Sequence, residues 1–248
     1  MTSPYAQEGF SVGFDWGPVG AGVVVGNIVA VVDVLSFTTA VTVAADLGID
    51  VYPYRWRDET AVAYAKQYDA TLAVGRKQAG PGDVSLSPAT IRRASGIERL
   101  VLPSPNGSTI AQQLSDSGAA VIAVSLRNRI AAAAWVTQQF AEQPEQKVVA
   151  IAAGERWKDG TLRPAVEDLW GAGGFLSALQ QSSLSPEARA AVAAYDAVAG
   201  DLHRVLNDCA GGRELTQYGF PEDVAIAAEL DSSRSVPVLR HGKLFAST

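Results

Sequence analysis

The chain has 248 residues, 48% of them hydrophobic and 19% charged, with 26 acidic against 20 basic side chains and a formal charge of −6. That length and apolar content supply a sizeable core and exclude a disordered chain, and the scattered Lys and Arg argue against nucleic acid as a partner, which needs a clustered basic face. A lone Cys209 excludes an internal disulfide, and with only His203 and His241 beside it there is no zinc set or His-rich metal site in the sequence.

The opening MTSPYAQEGF has neither the basic start nor the apolar block of a signal peptide. The most apolar stretch, Val19 to Leu35, is interrupted by Gly20, Gly22, Gly26, Asn27 and Asp33, so no spanning helix and no membrane partner are expected. A cytoplasmic protein follows from this reading.

Along the chain, short β-branched runs alternate with alanine-rich amphipathic segments, the pattern of strands feeding helices. Ile28 to Val34 leads into Thr38 to Leu47, Val51 to Tyr54 into Glu59 to Tyr68, and Leu100 to Leu102 into Thr109 to Leu114. Ala120 to Ser125 precedes Arg129 to Phe140, and Lys147 to Ala152 precedes Val166 to Leu179. The near-continuous apolar strands predict a sheet covered on both faces, a layered α/β/α fold with a largely buried mixed or parallel sheet. Beyond Gln181, Ser185 and Pro186 start a helix that is expected to run to Cys209 and to end at Gly211 and Gly212. A short helix at Pro221 to Leu230 and a late edge strand at Val236 to Leu239 complete a single domain, or two intimate lobes, with a helical C-terminal extension. The alanine-rich helices could also supply a homodimer face.

Polar loops at strand ends are the candidate working parts, because ligands in open α/β sheets collect there beside helix N-termini. Asp33 ends an apolar run, and Ser36, Thr38 and Thr39 crowd the next helix start, where hydroxyls suit phosphate oxygens and a magnesium ion would reconcile the carboxylate with the phosphate. The same residues also suit a plain helix cap. Asn106, Gly107, Ser108 and Thr109 repeat the arrangement, with a glycine that lets a ligand approach the backbone and three side chains able to donate hydrogen bonds, although Asn-Gly is also an ordinary tight turn. Between them, VGRKQAGPGDVSLSP is a long polar connection of the kind used for lids and binding segments, and Arg76 in it offers a fork for phosphate, sulfonate or carboxylate. Arg127, Asn128 and Arg129 follow another strand, with one arginine expected to face the cleft. The last loop contributes Glu155, Arg156, Glu167 and Asp168; adjacent residues on a helix point roughly 100° apart, so Glu167 and Asp168 share an ion only in an irregular first turn, and either can equally serve the helix dipole. Gly171, Gly173 and Gly174 in the following helix suggest close backbone packing.

Taken in order, DVLSFTTAVTVAADLG, VGRKQAGPGDVSLSP, LPSPNGSTIA, SLRN, AAGE, VEDLWGAGGF and ELTQYGFPEDVAIAAELDSSRSVPVL resemble the 2-phosphosulfolactate phosphatase family over nearly the whole chain. The resemblance implies a magnesium-dependent hydrolase that removes phosphate from (R)-2-phospho-3-sulfolactate in coenzyme M biosynthesis. It carries the family's strand-end Asp onto Asp33, its Asn-Gly-Thr loop onto Asn106, Gly107 and Ser108, and its Glu-Asp pair onto Glu167 and Asp168. Two departures stand out: Ser36 occupies the place of an Arg after the Asp-Val-Leu run, and the Gly-Glu-Arg loop reads Gly75, Arg76, Lys77.

The leading expectation is a phosphatase for a small phosphorylated acid, with Mg²⁺ held by Asp33, Glu167 and Asp168 and with Asp33, Glu155 and Glu167 as the catalytic carboxylates. Ser36, Thr38, Thr39, Arg76, Asn106, Gly107, Ser108, Thr109, Arg127 and Asn128 are expected to bind the phosphate. A haloacid-dehalogenase mechanism, with Asp33 as nucleophile, ranks below this, because the residue two after Asp33 is Leu35 rather than Asp. The alternative, motivated by Ser36 and by the shortened GDVSLSP segment, is a relative that binds such a metabolite without hydrolysing it.

Overall fold

A computed structural model describes residues 3–23, 27–55, 58–179 and 183–247. The strands are β1 (Val12–Trp16), β2 (Ile28–Val32), β3 (Asp50–Tyr54), β4 (Thr71–Leu72), β5 (Arg99–Pro103), β6 (Ala120–Val124), β7 (Val148–Ala152), β8 (Glu155–Arg156), β9 (Leu162–Arg163), β10 (Val236–Arg240) and β11 (Lys243–Ser247). The helices are α1 (Gly17–Val23), α2 (Phe37–Asp46), α3 (Glu59–Gln67), α4 (Pro88–Arg92), α5 (Gly107–Leu114), α6 (Arg129–Glu142), α7 (Val166–Ala178), α8 (Pro186–Asp196), α9 (Leu202–Asp208), α10 (Ala210–Gln217) and α11 (Pro221–Ala227).

Among the described residues, nine strands form one sheet in the order β1-β7-β2-β6-β10-β11-β3-β5-β4, and β8 with β9 forms a separate hairpin. Two parallel blocks, β1-β7-β2-β6 and β3-β5-β4, are joined by the antiparallel hairpin β10–β11. The sheet is therefore mixed, and Val236 to Leu239 lies at its centre rather than at an edge. Period two explains how β2 serves both faces. Ile28, Ala30 and Val32 join one core with Phe175, Ala191 and Leu206, whereas Val29 and Val31 join another with Phe37, Val41 and Ile110. Every residue of β2 and β7 is buried, as expected for strands covered on both sides.

The five strand–helix pairs read from the sequence are present. Ser185 caps α8 as expected, its hydroxyl accepting the Ala188 N–H at 3.1 Å with Pro186 in the first turn. The single helix expected from there to Cys209 is instead broken into α8, a 3₁₀ turn at Ala199–Asp201, and α9. Gly211 and Gly212 do not end a helix but lie inside α10, where a Cβ on Gly212 would stand 1.8 Å from the Leu206 carbonyl oxygen. Gly212 lets α10 fold tightly back on α9, and Gly211 leaves room for Glu167, whose Oε1 would stand 2.2 Å from an added Cβ; these close approaches, not chain breaking, are what the two glycines provide. The glycines of α7 act as expected: a Cβ on Gly171 would meet Val32 of β2 and Val34 in the loop after it, and one on Gly173 would meet α8. Trp16, Trp135 and Trp170 pack against the core, Trp157 is exposed, and Trp56 lies outside the described residues. No helix among the described residues is long and apolar enough to cross a membrane.

Candidate active site

Asp33 follows β2 directly and is buried, yet both of its carboxylate oxygens are held by backbone donors. The Phe37 N–H of α2 donates to Oδ1 at 3.1 Å, and the Gly107 N–H of α5 donates to Oδ2 at 2.9 Å. The first turns of two helices thus converge on one carboxylate, the charge sign that their dipoles favour. This is possible because α5 packs on both β2 and β3, which brings the loop after β5 to the end of β2. It also requires Gly107, since a Cβ there would lie 2.4 Å from the Phe37 ring and 2.7 Å from Asp33 Oδ2. Burial nevertheless dominates and raises the Asp33 pKa above the usual carboxylate value, against the lowering effect of the two N–H groups and of Arg76.

Asp33 shares the wall of a cavity of about 250 Å³ with Leu35, Ser36, Arg76, Leu86, Ser104, Pro105, Asn106 and Glu155. Arg76 enters from the loop after β4. Its Nη2 donates to Ser36 Oγ at 2.5 Å and to the Leu86 carbonyl at 3.4 Å, and its Nε pairs with Asp223 at 3.2 Å. A guanidinium therefore rests on the serine that stands where the family resemblance implies an arginine. Across the cavity, Asn106 Nδ2 donates to Glu155 Oε2 at 2.9 Å. Burial, reinforced by the neighbouring Asp33 charge, pushes the Glu155 carboxyl up to about 7, a value suited to moving protons near neutrality.

The Glu167–Asp168 pair occupies the first turn of α7, and both residues are buried. They diverge. Asp168 accepts the Val34 N–H at 2.7 Å and the Gly154 N–H at 2.9 Å, which ties the loop after β2 to the loop after β7. Its burial, together with the charges of Asp33 and Glu167, drives its pKa well above the usual range. Glu167 turns toward Gly211 and Cys209 of the C-terminal helices, and its Oε2 is buried without a hydrogen-bond partner among the described residues. Burial first, then the Glu167 charge, pushes the Cys209 thiol up to about 12, so it stays neutral.

The expected phosphate-binding set is divided by the fold. Asp33, Ser36, Arg76, Asn106 and Glu155 are brought together around the cavity. Thr38, Thr39, Ser108 and Thr109 instead donate to the Asp33, Val34, Leu102 and Pro105 carbonyls at 2.8 to 2.9 Å, pinning the loops. Arg127, expected in the cleft, pairs with Asp46 at 3.1 Å and Glu229 at 3.3 Å, where opposite charges and Thr42 complete its shell. Asn128 bonds the backbone of Ser125, Ala123 and Ser235, and Arg129 pairs with Asp231. Asp223 is the residue that the sequence does not single out: two acids opening a helix are ordinary dipole partners, and only its burial beside Arg76 reveals more.

Acidic and guanidinium groups around a small strand-end cavity of a layered α/β chain make a candidate enzyme site suited to an anionic substrate. The family model described as 2-phosphosulpholactate phosphatase matches residues 21–242, and the chain belongs to that family and is a phosphoric monoester hydrolase. A probable 2-phosphosulfolactate phosphatase of Thermus thermophilus is 30% identical over 223 residues, covering 86% of this chain and 88% of the relative. Another, of Deinococcus radiodurans, is 26% identical over 223 residues, covering 87% and 89%.

Proposed function

We propose that the chain is a magnesium-dependent phosphatase for a small phosphorylated acid, with (R)-2-phospho-3-sulfolactate, released as 3-sulfolactate and phosphate, as the first candidate substrate. One observation carries the reading: the Arg76 guanidinium, the buried Asp33 carboxylate and Glu155, which ionises at about 7, face a single cavity of about 250 Å³. Arg76 Nη1 has no hydrogen-bond partner among the described residues and is free to bind a phosphoryl oxygen, with Ser36 Oγ beside it. Asn106 orients Glu155 through its 2.9 Å bond, and Glu155 takes the proton of the attacking water.

The residues fit a magnesium ion. Among the described residues no three His, Cys, Asp or Glu side chains form a complete cage, but Mg²⁺ keeps several waters and is held by one or two carboxylates plus substrate phosphate. Asp33 and Glu167, the latter with a buried oxygen that has no hydrogen-bond partner among the described residues, suit that mode, while Asp168 fixes the loops that carry them. When bound, the ion would polarise the phosphoryl group and offset its charge. The test is phosphate release from a panel of 2-phospho acids with Mg²⁺ and with chelator. Turnover that needs the metal is expected; no turnover on any member by a folded protein, with ligand binding retained, would establish the non-hydrolysing alternative instead.

The pH dependence follows from Glu155. A base works when deprotonated, and burial raises this carboxyl toward 7 while a nearby cation draws it down. kcat/KM is therefore expected to rise with pH, with a midpoint above the ordinary glutamate value and no higher than about 7. Glu155→Gln should remove that limb and cost on the order of 10²–10⁴-fold in rate. A profile flat from about pH 5 to about pH 8 in the unmodified enzyme would reject Glu155 as the base.

A further inference from the structure

We infer that Asp223, on α11 in the C-terminal part of the chain, is the positioning residue that holds Arg76 in the cavity and so sets the affinity of the site for the phosphoryl group. The inference rests on the phosphatase site described above and adds to it a residue that never touches the substrate. Asp223 is 1% exposed, and its carboxylate is shared among three donors. Arg76 Nε reaches Oδ2 at 3.2 Å, the Ala89 N–H reaches Oδ1 at 3.4 Å, and the Ser87 hydroxyl donates to Oδ1 in a short bond. Ser87 is itself buried, and its backbone N–H donates to Ser85 Oγ at 3.1 Å.

A guanidinium has a rigid plane, so fixing Nε and Nη2 fixes the direction of Nη1. Asp223 holds the first, Ser36 and the Leu86 carbonyl hold the second, and the remaining nitrogen is left for an anion. The loop that carries Arg76 and the helix after it are further docked on the C-terminal part: the Lys77 ammonium lies 4.3 Å from the Tyr218 ring centroid, and Arg93, at the end of α4, pairs with Glu222 at 2.7 Å. The helices after α7 are thus part of the binding site, acting through Arg76. A carboxylate near a phosphate would by charge alone weaken binding, so its effect on affinity separates positioning from simple electrostatics.

The test measures binding of inorganic phosphate, by calorimetry in the presence of Mg²⁺, to four full-length proteins: unmodified, Asp223→Ala, Arg76→Ala and the double variant. Asp223→Ala is expected to weaken phosphate about tenfold or more, the scale of a lost charge-assisted hydrogen bond, and to add nothing further once Arg76 is gone. In turnover, the same variant should raise KM more than it lowers kcat, and Asp223→Asn, which keeps an acceptor for Nε, should recover part of the loss. Should Asp223→Ala fail to fold, Ser87→Ala asks the same question by loosening Asp223 without touching Arg76, with a smaller loss expected. Unchanged or tighter binding, or an equal loss with and without Arg76, overturns the inference. If Arg76→Ala alone abolishes binding while Asp223→Ala and Ser87→Ala do not weaken it, the site reading stands and the positioning role falls; if the unmodified protein binds no phosphate, both fall together.

Discussion

Asp33→Asn is expected to lower kcat/KM for a phosphomonoester by on the order of a thousandfold while leaving the protein folded. Each oxygen of Asp33 accepts one backbone N–H, from Phe37 at 3.1 Å and from Gly107 at 2.9 Å. An amide has only one acceptor oxygen, so one of these donors would face an NH₂ group, and either the start of α2 or the loop after β5 would lose its tie to Asp33. The negative charge on the cavity wall would go as well. Stability should suffer less than activity, because burial already disfavours the charge that Asn removes. Initial rates of phosphate release, paired with thermal unfolding, check this; a rate within a few-fold of the unmodified enzyme would remove Asp33 from the chemistry.

Gly173→Ala is expected to be among the most damaging small substitutions in the chain. Its new Cβ would lie 2.0 Å from the Ala191 carbonyl oxygen and 2.7 Å from the Ala191 carbonyl carbon, so the backbone of α8 itself would have to move. Overpacking of this kind costs about 2 to 3 kcal/mol, which for a chain of this size lowers Tm by roughly 5 to 10 °C. Gly200→Ala is the control, since nothing among the described residues lies within 4 Å of its added methyl, and its Tm should hold or rise slightly. Equal Tm values for the two variants would contradict the close packing of α7 on α8. Because α7 also carries Glu167 and Asp168 in its first turn, displacing it should reduce turnover in the molecules that remain folded.

Much of the fold was legible because strands buried on both faces read as unbroken apolar runs. The order of the sheet was not. Val236 to Leu239 looks like any short terminal strand, and only its pairing with β6, together with that of β11 with β3, puts the hairpin between the two parallel blocks. The break between α8 and α9 was hidden because the alanine-rich run before it and Leu202, Arg204 and Leu206 after it all favour helix.

At the site, Asp33, Ser36, Arg76, Asn106 and Glu155 were visible as polar residues at strand ends, the position where the chain leaves the sheet. What the sequence could not convey was direction. Thr38, Thr39, Ser108 and Thr109 stand in the right loops but turn back to their own carbonyls, a common fate of hydroxyls at helix starts. The helix N-termini were expected to favour an anion, and they do, but the anion is Asp33. Arg127 and Asn128 follow a strand of the same block, yet partners distant in sequence, Asp46, Glu229 and Ser235, take their polar groups. Such long-range pairing also conceals Asp223, whose partner Arg76 is 147 residues away.

Whether the cavity between Asp33, Arg76 and Glu155 receives the phosphoryl group is tested most directly by a crystal structure grown with Mg²⁺ and inorganic phosphate. The expected result is an anion within hydrogen-bond distance of Arg76 Nη1 and Ser36 Oγ, with the metal between that anion and the Asp33 carboxylate. A well-ordered phosphate and metal bound together elsewhere on the chain, with this cavity filled only by water, would contradict it.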